Sequence, residues 1–161
     1  TDIWRDIYPT SSFVGIVRDG LALCESHKRR GRSIEHFSEV YYKVCSKIIH
    51  DYKYYDNYLL VKFEDIINYP IKTMKCIYDF IGLNIYQLKE VRLQSKKVLQ
   101  TNGSHSGQTE KDREVLWYRF EGFLNHFTKD VNKYQINNLT SKEKDVFLEK
   151  NHHLLKELDY I

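Results

Sequence analysis

The chain has 161 residues and a net charge of +3; 42% of its residues are hydrophobic and 29% are charged. This length predicts one domain, and the composition is ordinary for a globular protein. The net charge is too small to indicate nucleic-acid binding, and no stretch approaches the ~18 apolar residues that predict a membrane-spanning helix.

The three cysteines bear on the compartment. Cys24, Cys45 and Cys76 are odd in number, widely spaced and without a CxxC pair, so they indicate neither a zinc knuckle nor a disulfide framework. We therefore expect reduced cysteines in helices and a cytoplasmic protein. Glycosylation triplets beginning at Asn102 and Asn138 keep a luminal location, such as the Golgi, open.

Two short apolar runs predict strands. Residues 13–17 are continuously apolar and partly β-branched, which is typical of a strand buried on both faces of a parallel sheet. Residues 58–63 predict the second strand. The link between them is roughly 40 residues long and helical in pattern, so it is a crossover, and the two strands are predicted to run parallel.

Helix signals occupy that link. Asp19 can cap a helix over residues 20–30, which Gly31 ends. A longer amphipathic helix follows over residues 34–52 and is expected to cover one face of the sheet. The side chains expected to face the sheet are those of Phe37, Val44 and Ile48.

Further helices are predicted after the second strand. One follows Pro70 and is stopped by Gly82. Apolar residues between 115 and 127 predict one or two more helices. The last helix begins at a capping box formed by Thr140 and Glu143.

Two parallel strands cannot make a sealed sheet, because both of their faces and both edges need cover. We therefore expect either an N-terminal segment or a partner chain to supply further strands. Arg18 and Phe63, which end the two strand segments, are expected at the same end of the sheet.

The order of short motifs along the chain carries a family resemblance. An Arg-Asp pair follows the first strand, a Ser comes eight residues after that Arg, and an aromatic-Glu-Asp triplet ends the second strand. The motifs are Arg18-Asp19, Ser26, Phe63-Glu64-Asp65, Pro70 and Phe80-Ile81-Gly82-Leu83. This series resembles the C-terminal part of sulfotransferases that use PAPS (3′-phosphoadenosine 5′-phosphosulfate).

The resemblance implies that Arg18 and Ser26 bind the 3′-phosphate of PAPS. Arg18 follows a strand at the edge where ligands of parallel sheets bind, and a guanidinium makes planar, two-point phosphate contacts. Ser26 lies two helical turns past Asp19 in the predicted helix and so faces the same side. The alternative is a surface pair between Arg18 and Asp19 beside an ordinary helical serine.

The aromatic position of the triplet is Phe63, where the family usually has Tyr. The resemblance implies that it approaches the adenine of the cofactor, with only stacking or packing available to it. Phe63 is therefore either a cofactor contact or a core residue. Glu64 and Asp65 are expected to cap a short helix and complement its dipole.

A Gly-Ser loop followed by a Trp and a basic residue resembles a second element of the family, which closes over the nucleotide end of the cofactor. It implies cofactor contacts from Ser104, Ser106 and Arg119; an ordinary surface loop is the alternative. The general base of the family normally comes from the half that precedes this portion. Within this chain, His105 is the best candidate base.

The densest basic run spans residues 27–32. It is either a solvated helix C-terminus, where the helix dipole favours cations, or a surface that raises the local concentration of anions such as PAPS or an acidic glycan.

The implied fold class is α/β: one domain over residues 1–161, forming the helix-rich C-terminal part of a P-loop-like, three-layer, parallel-sheet sulfotransferase fold. The implied reaction is in-line transfer of a sulfuryl group from PAPS to a hydroxyl or amine of a small-molecule or glycan acceptor, without a metal. In the family the loop that grips the 5′-phosphosulfate precedes this portion, so residues 1–161 alone are expected to be inactive. The competing hypothesis is a non-catalytic module of this fold that binds a nucleotide or a protein.

Overall fold

The structure is a computed structural model, and it describes residues 2–94, 115–119 and 131–161. Within these ranges the chain forms a mixed α/β fold that is rich in helix. The helices are α1 (Asp2–Ile7), α2 (Gly20–Lys28), α3 (Ile34–Tyr54), α4 (Phe63–Asn68), α5 (Pro70–Phe80), α6 (Val131–Asn137) and α7 (Ser141–Glu157). The strands are β1 (Phe13–Val17), β2 (Tyr58–Lys62), β3 (Glu90–Gln94) and β4 (Val115–Arg119), and a 3₁₀ turn spans Ile85–Gln87.

β1 and β2 pair in parallel, as the length of the crossover predicts. The register aligns Val17 with Lys62 at the end of the two strands. Because the strands run in the same direction and end together, Arg18 and Phe63 leave the sheet at the same edge. The prediction that the strands are adjacent and parallel, with these two residues at one end, is confirmed.

The core is built where α2, α3 and α7 meet. The rings of Phe37, Tyr41 and Phe147 contact one another, with centroids 5.3, 5.9 and 6.0 Å apart, within the range of favourable aromatic pairs. Phe147 is fully buried. Gly20 begins α2 beside these rings, and a Cβ atom there would lie 2.5 Å from the Phe147 ring. The close approach of α2 to the core therefore requires a glycine at this position.

The inward face of α3 is narrower than the predicted stripe. Its buried apolar residues are spaced four apart, and they are Phe37, Tyr41, Cys45 and Ile49. Such a ridge rotates by about 40° around the helix every four residues, and so it moves away from Val44. The expectation that Val44 faces the sheet is wrong, because that side chain is 51% exposed.

β3 and β4 form an antiparallel pair, with Glu90 opposite Arg119. The prediction of helix over 115–119 is therefore wrong. This segment places Val, Leu, Trp and Tyr in succession, residue types that suit a pleated surface. Pairing with β3 satisfies the backbone groups on one side of the strand. Residues 120–127 of the same predicted helical region lie outside the described residues.

Helix starts agree with the predicted caps. The Asp19 carboxylate accepts hydrogen bonds from the backbone N–H groups of Leu21 at 2.8 Å and Ala22 at 3.2 Å. The reciprocal capping box of Thr140 and Glu143 is present at the start of α7. These side chains satisfy N–H groups that have no partner within a helix.

The three cysteines are free and lie in helices, as expected. Cys24 and Cys45 are buried, whereas Cys76 is exposed on α5. Burial raises the pKa of each of the two buried thiols to about 11. Over the described ranges, no helix combines the length and the apolar character needed to cross a bilayer.

The orientation of α3 can be tested by paired truncations. Ile49→Ala, at a buried position, should lower the free energy of unfolding by about 2–5 kcal/mol because it removes core contacts and leaves a cavity. Val44→Ala, at the exposed position, should change it by less than about 0.5 kcal/mol. Urea denaturation followed by circular dichroism measures both, and equal losses would contradict the orientation.

Candidate functional site

The carboxyl edge of the β1–β2 pair carries the candidate site. Arg18 and Asp19 join β1 directly to α2, and Phe63 begins α4 immediately after β2. α6 packs against α2. The edge where parallel sheets bind ligands is therefore lined by the starts of two helices and by one helix from late in the chain.

Arg18 is half-buried and is held by neutral groups. Its Nε donates a hydrogen bond to Oδ1 of Asn132 at 2.9 Å, and a terminal nitrogen donates to Oε1 of Gln135. The guanidinium lies over the ring of Phe63, 4.7 Å from its centroid, a cation–π contact. Among the described residues Arg18 forms no ion pair, so no direct carboxylate contact neutralises its charge.

Glu64 joins four parts of the chain at this edge. Its Oε1 accepts hydrogen bonds from the backbone N–H of Asp19 at 3.1 Å and from the side-chain amide of Asn132. Its Oε2 accepts from the hydroxyl of Tyr160 at 2.7 Å. Glu64 lies in the first turn of α4, where its charge complements the helix dipole as predicted. The expectation that Glu64 and Asp65 cap α4 is wrong, because Lys62 is the N-cap and no side chain among the described residues caps this helix.

The end of α7 brings Tyr160 to Glu64. Asp159 adopts a left-handed conformation with φ 52°, and the N–H of Tyr160 donates to the carbonyl of Leu155 at 2.8 Å. Together with the bond from Asp159 N–H to the carbonyl of Lys156 at 3.1 Å, this is the Schellman ending of a helix. The motif turns the chain sharply and directs it back toward the sheet edge.

Burial and charge oppose each other around Arg18. Burial lowers the pKa of Arg18, and the negative charges of Glu64 and Asp19 raise it in turn; the guanidinium remains charged. Burial raises the pKa of Asp19, while the two N–H groups that it caps lower it. Burial, followed by the hydrogen bond to Glu64, raises the pKa of Tyr160 far above its usual range. The phenol therefore stays a hydrogen-bond donor at physiological pH.

Ser26 is half-buried on α2. Six residues separate it from the start of the helix, which is about 9 Å along the axis, and the described part of the chain shows no hydrogen bond between Ser26 and Arg18. The adjacent Glu25 is 6% exposed. Its Oε2 has no hydrogen-bond partner among the described residues. The structure thus brings Arg18 and Phe63 together, and the role of Ser26 stays a prediction.

The second predicted element is separate from this edge. Arg119 ends β4, is exposed and lines a cavity beside α5. Ser104, His105 and Ser106 lie outside the described residues. Within the part of the chain that the structure describes, no group of three or more His, Cys, Asp or Glu side chains could hold a metal ion.

The basic run at 27–32 is partly paired. Lys28 forms an ion pair with Glu143 at 2.7 Å, and the Nε of Arg29 lies 3.7 Å from Oε1 of Glu25. The first of these pairs joins α2 to the start of α7. Arg30 and Arg32 are exposed and form no ion pair among the described residues, so the run combines a helix-packing contact with free cations, and both alternatives stand.

Sequence reasoning missed the amide side chains that hold Arg18. Asn132 and Gln135 are three residues apart on α6, so they share one face of that helix. The spacing of these two amides was the one sequence signal that could have indicated a shared polar contact on this helix. It cannot name the partner, because the partner is 114 residues away from Asn132 along the chain.

Comparison with known proteins adds no relative. No protein-family model matches the chain, and no curated protein or solved structure is significantly similar to it. The case for a function therefore depends on the order of motifs and on the geometry of the β1–β2 edge.

The contact between Tyr160 and Glu64 predicts a measurable stability effect. Tyr160→Phe removes one hydrogen bond to a carboxylate and should lower the free energy of unfolding by about 1–2 kcal/mol. Tyr134→Phe is the matched control, because Tyr134 is 72% exposed and should tolerate the change. Chemical denaturation measures both variants, and an unchanged stability of Tyr160→Phe would contradict the contact.

Proposed function

We propose that this chain is the nucleotide-binding portion of a PAPS-dependent sulfotransferase. The observation that carries the proposal is the position of Arg18 over Phe63 at the carboxyl edge of two parallel strands. A cation and an aromatic face at one sheet edge suit a ligand that combines a phosphate with a purine. The fold assignment proposed with it is the C-terminal part of the P-loop-like, three-layer sulfotransferase architecture.

Arg18 would bind the 3′-phosphate by exchanging its present partners. Its guanidinium donates to the neutral amide oxygens of Asn132 and Gln135, and a phosphate oxygen is a stronger acceptor for a charged donor than an amide oxygen. Phe63 would pack against the adenine.

Transfer of the sulfuryl group needs positioning and charge stabilisation more than covalent chemistry. In this proposal the described residues contribute the positioning, since they hold the nucleotide of PAPS while an acceptor hydroxyl or amine attacks in line. A small molecule or a glycan is the proposed acceptor. Ser26, Ser104, Ser106 and Arg119 remain proposed cofactor contacts, and His105 remains the candidate base within the chain.

The outward face of β1 supports the proposal of further strands. Val14 and Ile16 are 37% and 55% exposed, although both are apolar strand residues. We propose that a preceding segment or a partner chain covers them, which would complete a sheet of the sulfotransferase type.

A specific observation favours the competing function, a non-catalytic binding module. The contacts among Arg18, Asn132, Gln135, Glu64 and Tyr160 satisfy one another without a ligand. The carboxylates around Arg18 also oppose a second negative charge. In that case the edge is a structural junction, and a nucleotide or protein would bind elsewhere on the molecule.

Nucleotide binding separates the two functions. The chain should bind adenosine 3′,5′-bisphosphate more tightly than 5′-AMP, because only the former carries the 3′-phosphate. Arg18→Ala should weaken binding of the bisphosphate roughly 10- to 150-fold, which corresponds to about 1.5–3 kcal/mol for a lost charge-assisted contact. Isothermal titration calorimetry measures the affinities.

The control for this experiment is Arg30→Ala. Arg30 is exposed, so its removal should change the affinity by no more than about two-fold. Thermal unfolding of each variant shows whether Arg18→Ala remains folded. Equal affinity for the two nucleotides, or an Arg18→Ala affinity equal to that of the parent chain, would contradict the sulfotransferase proposal and favour the binding module.

Residues 1–161 alone should not transfer sulfate. No Gly-rich loop with a Lys-Ser or Lys-Thr pair of the type that grips a phosphosulfate occurs in this sequence. An assay with ³⁵S-labelled PAPS and a mixture of phenol, amine and glycan acceptors should therefore give no labelled product. Robust turnover would refute this expectation and direct attention to His105, with His105→Ala as the next variant.

A further inference from the structure

A cavity of about 610 Å³ lies beside α5 and shares no residue with the β1–β2 edge. It is an open cavity lined by residues of α5, of the 3₁₀ turn and the segment after it, and of the β3–β4 pair. Small-molecule sites in proteins have volumes of about 300–1,000 Å³. The cavity is therefore large enough to receive a ring-bearing small molecule.

The charges around this cavity are mostly positive. Among the described residues, Lys75, Lys89 and Arg119 line it together with one carboxylate, that of Glu90. Within the described ranges none of these four side chains forms an ion pair, although Glu90 lies opposite Arg119 in the strand pair. Three positive charges and one negative charge give the described lining a net charge of +2, which would attract an anion into the cavity.

The remaining lining is apolar and aromatic. Ile85 is 7% exposed, and Ile71 and Leu88 line the same cavity. The ring of Tyr86 is also part of the lining and is 83% exposed. An exposed ring beside aliphatic side chains offers a flat apolar surface to a ligand ring, with the phenol hydroxyl left at the water boundary.

We propose that this cavity binds a ring-bearing organic anion with two or more negative charges. The cations select for charge, because three of them outnumber the one carboxylate. The aliphatic and aromatic lining selects for a ring, since an anion without an apolar body would leave that surface in water. This proposal shares Arg119 with the proposed cofactor contacts, but it uses no residue of the β1–β2 edge, and so Arg18→Ala tests the proposed function without altering this cavity.

Naphthalene-2,6-dicarboxylate is a suitable probe, with naphthalene-2-methanol as the neutral ring and succinate as the dianion without a ring. Calorimetry on the whole chain should show binding of the dicarboxylate, weaker binding of the other two, and loss of affinity as salt is raised. Lys75→Gln, Lys89→Gln and Arg119→Gln should each weaken dicarboxylate binding about two- to five-fold. Tyr86→Ala should also weaken it, and Glu90→Gln should strengthen it.

Matched controls locate the binding. Lys142→Gln, on the exposed surface of α7, should leave dicarboxylate affinity unchanged, and so should Arg18→Ala. Failure of adenosine 3′,5′-bisphosphate binding alone would count against the proposed function and not against this cavity. The cavity proposal is overturned if the folded chain does not bind the dicarboxylate, if naphthalene-2-methanol binds equally well, or if the three cation variants bind as the parent does.

Discussion

The Glu64 carboxylate is the constraint on which the sheet edge depends. One side chain accepts hydrogen bonds from the N-cap residue of α2, from the first turn of α6 and from Tyr160 beyond the end of α7. Because the acceptor is charged, these bonds are stronger than those between neutral groups. The helix starts, α6 and the C-terminal turn thus share one electrostatic anchor, and it lies immediately after β2.

The hydrogen bonds of Glu64 also determine which groups the Arg18 guanidinium contacts. Asn132 donates to Glu64 and accepts from Arg18, so the carboxylate and the guanidinium are linked through one amide without touching. The amide keeps opposite charges close while leaving the cation free of a direct ion pair. An incoming anion would compete with amide oxygens, which is easier than breaking an ion pair to a buried carboxylate.

Local sequence patterns predicted the fold correctly where one pattern is enough to determine the structure. The apolar runs and the crossover length predicted parallel β1 and β2, and the cap at Asp19 predicted the start of α2. Local patterns gave wrong predictions where tertiary packing decides which side chain is buried or which secondary structure forms. Val44 has the same chemistry as its buried neighbours, and only the four-residue ridge of α3 places it outside. Likewise 115–119 is apolar enough for either a helix or a strand, and its pairing with β3 decides.

Only part of the candidate site could be predicted from the sequence. Arg18 and Phe63 were placed together because each ends a strand segment and parallel strands end at one edge. Asn132, Gln135 and Tyr160 come from more than sixty residues later in the chain than Phe63, and no local pattern reports such a distance.

The burial of two of the three cysteines has a practical consequence. The two enclosed thiols, with pKa values of about 11, hold almost no thiolate at neutral pH, while Cys76 faces solvent. A maleimide dye would therefore label the native protein at one known position on α5.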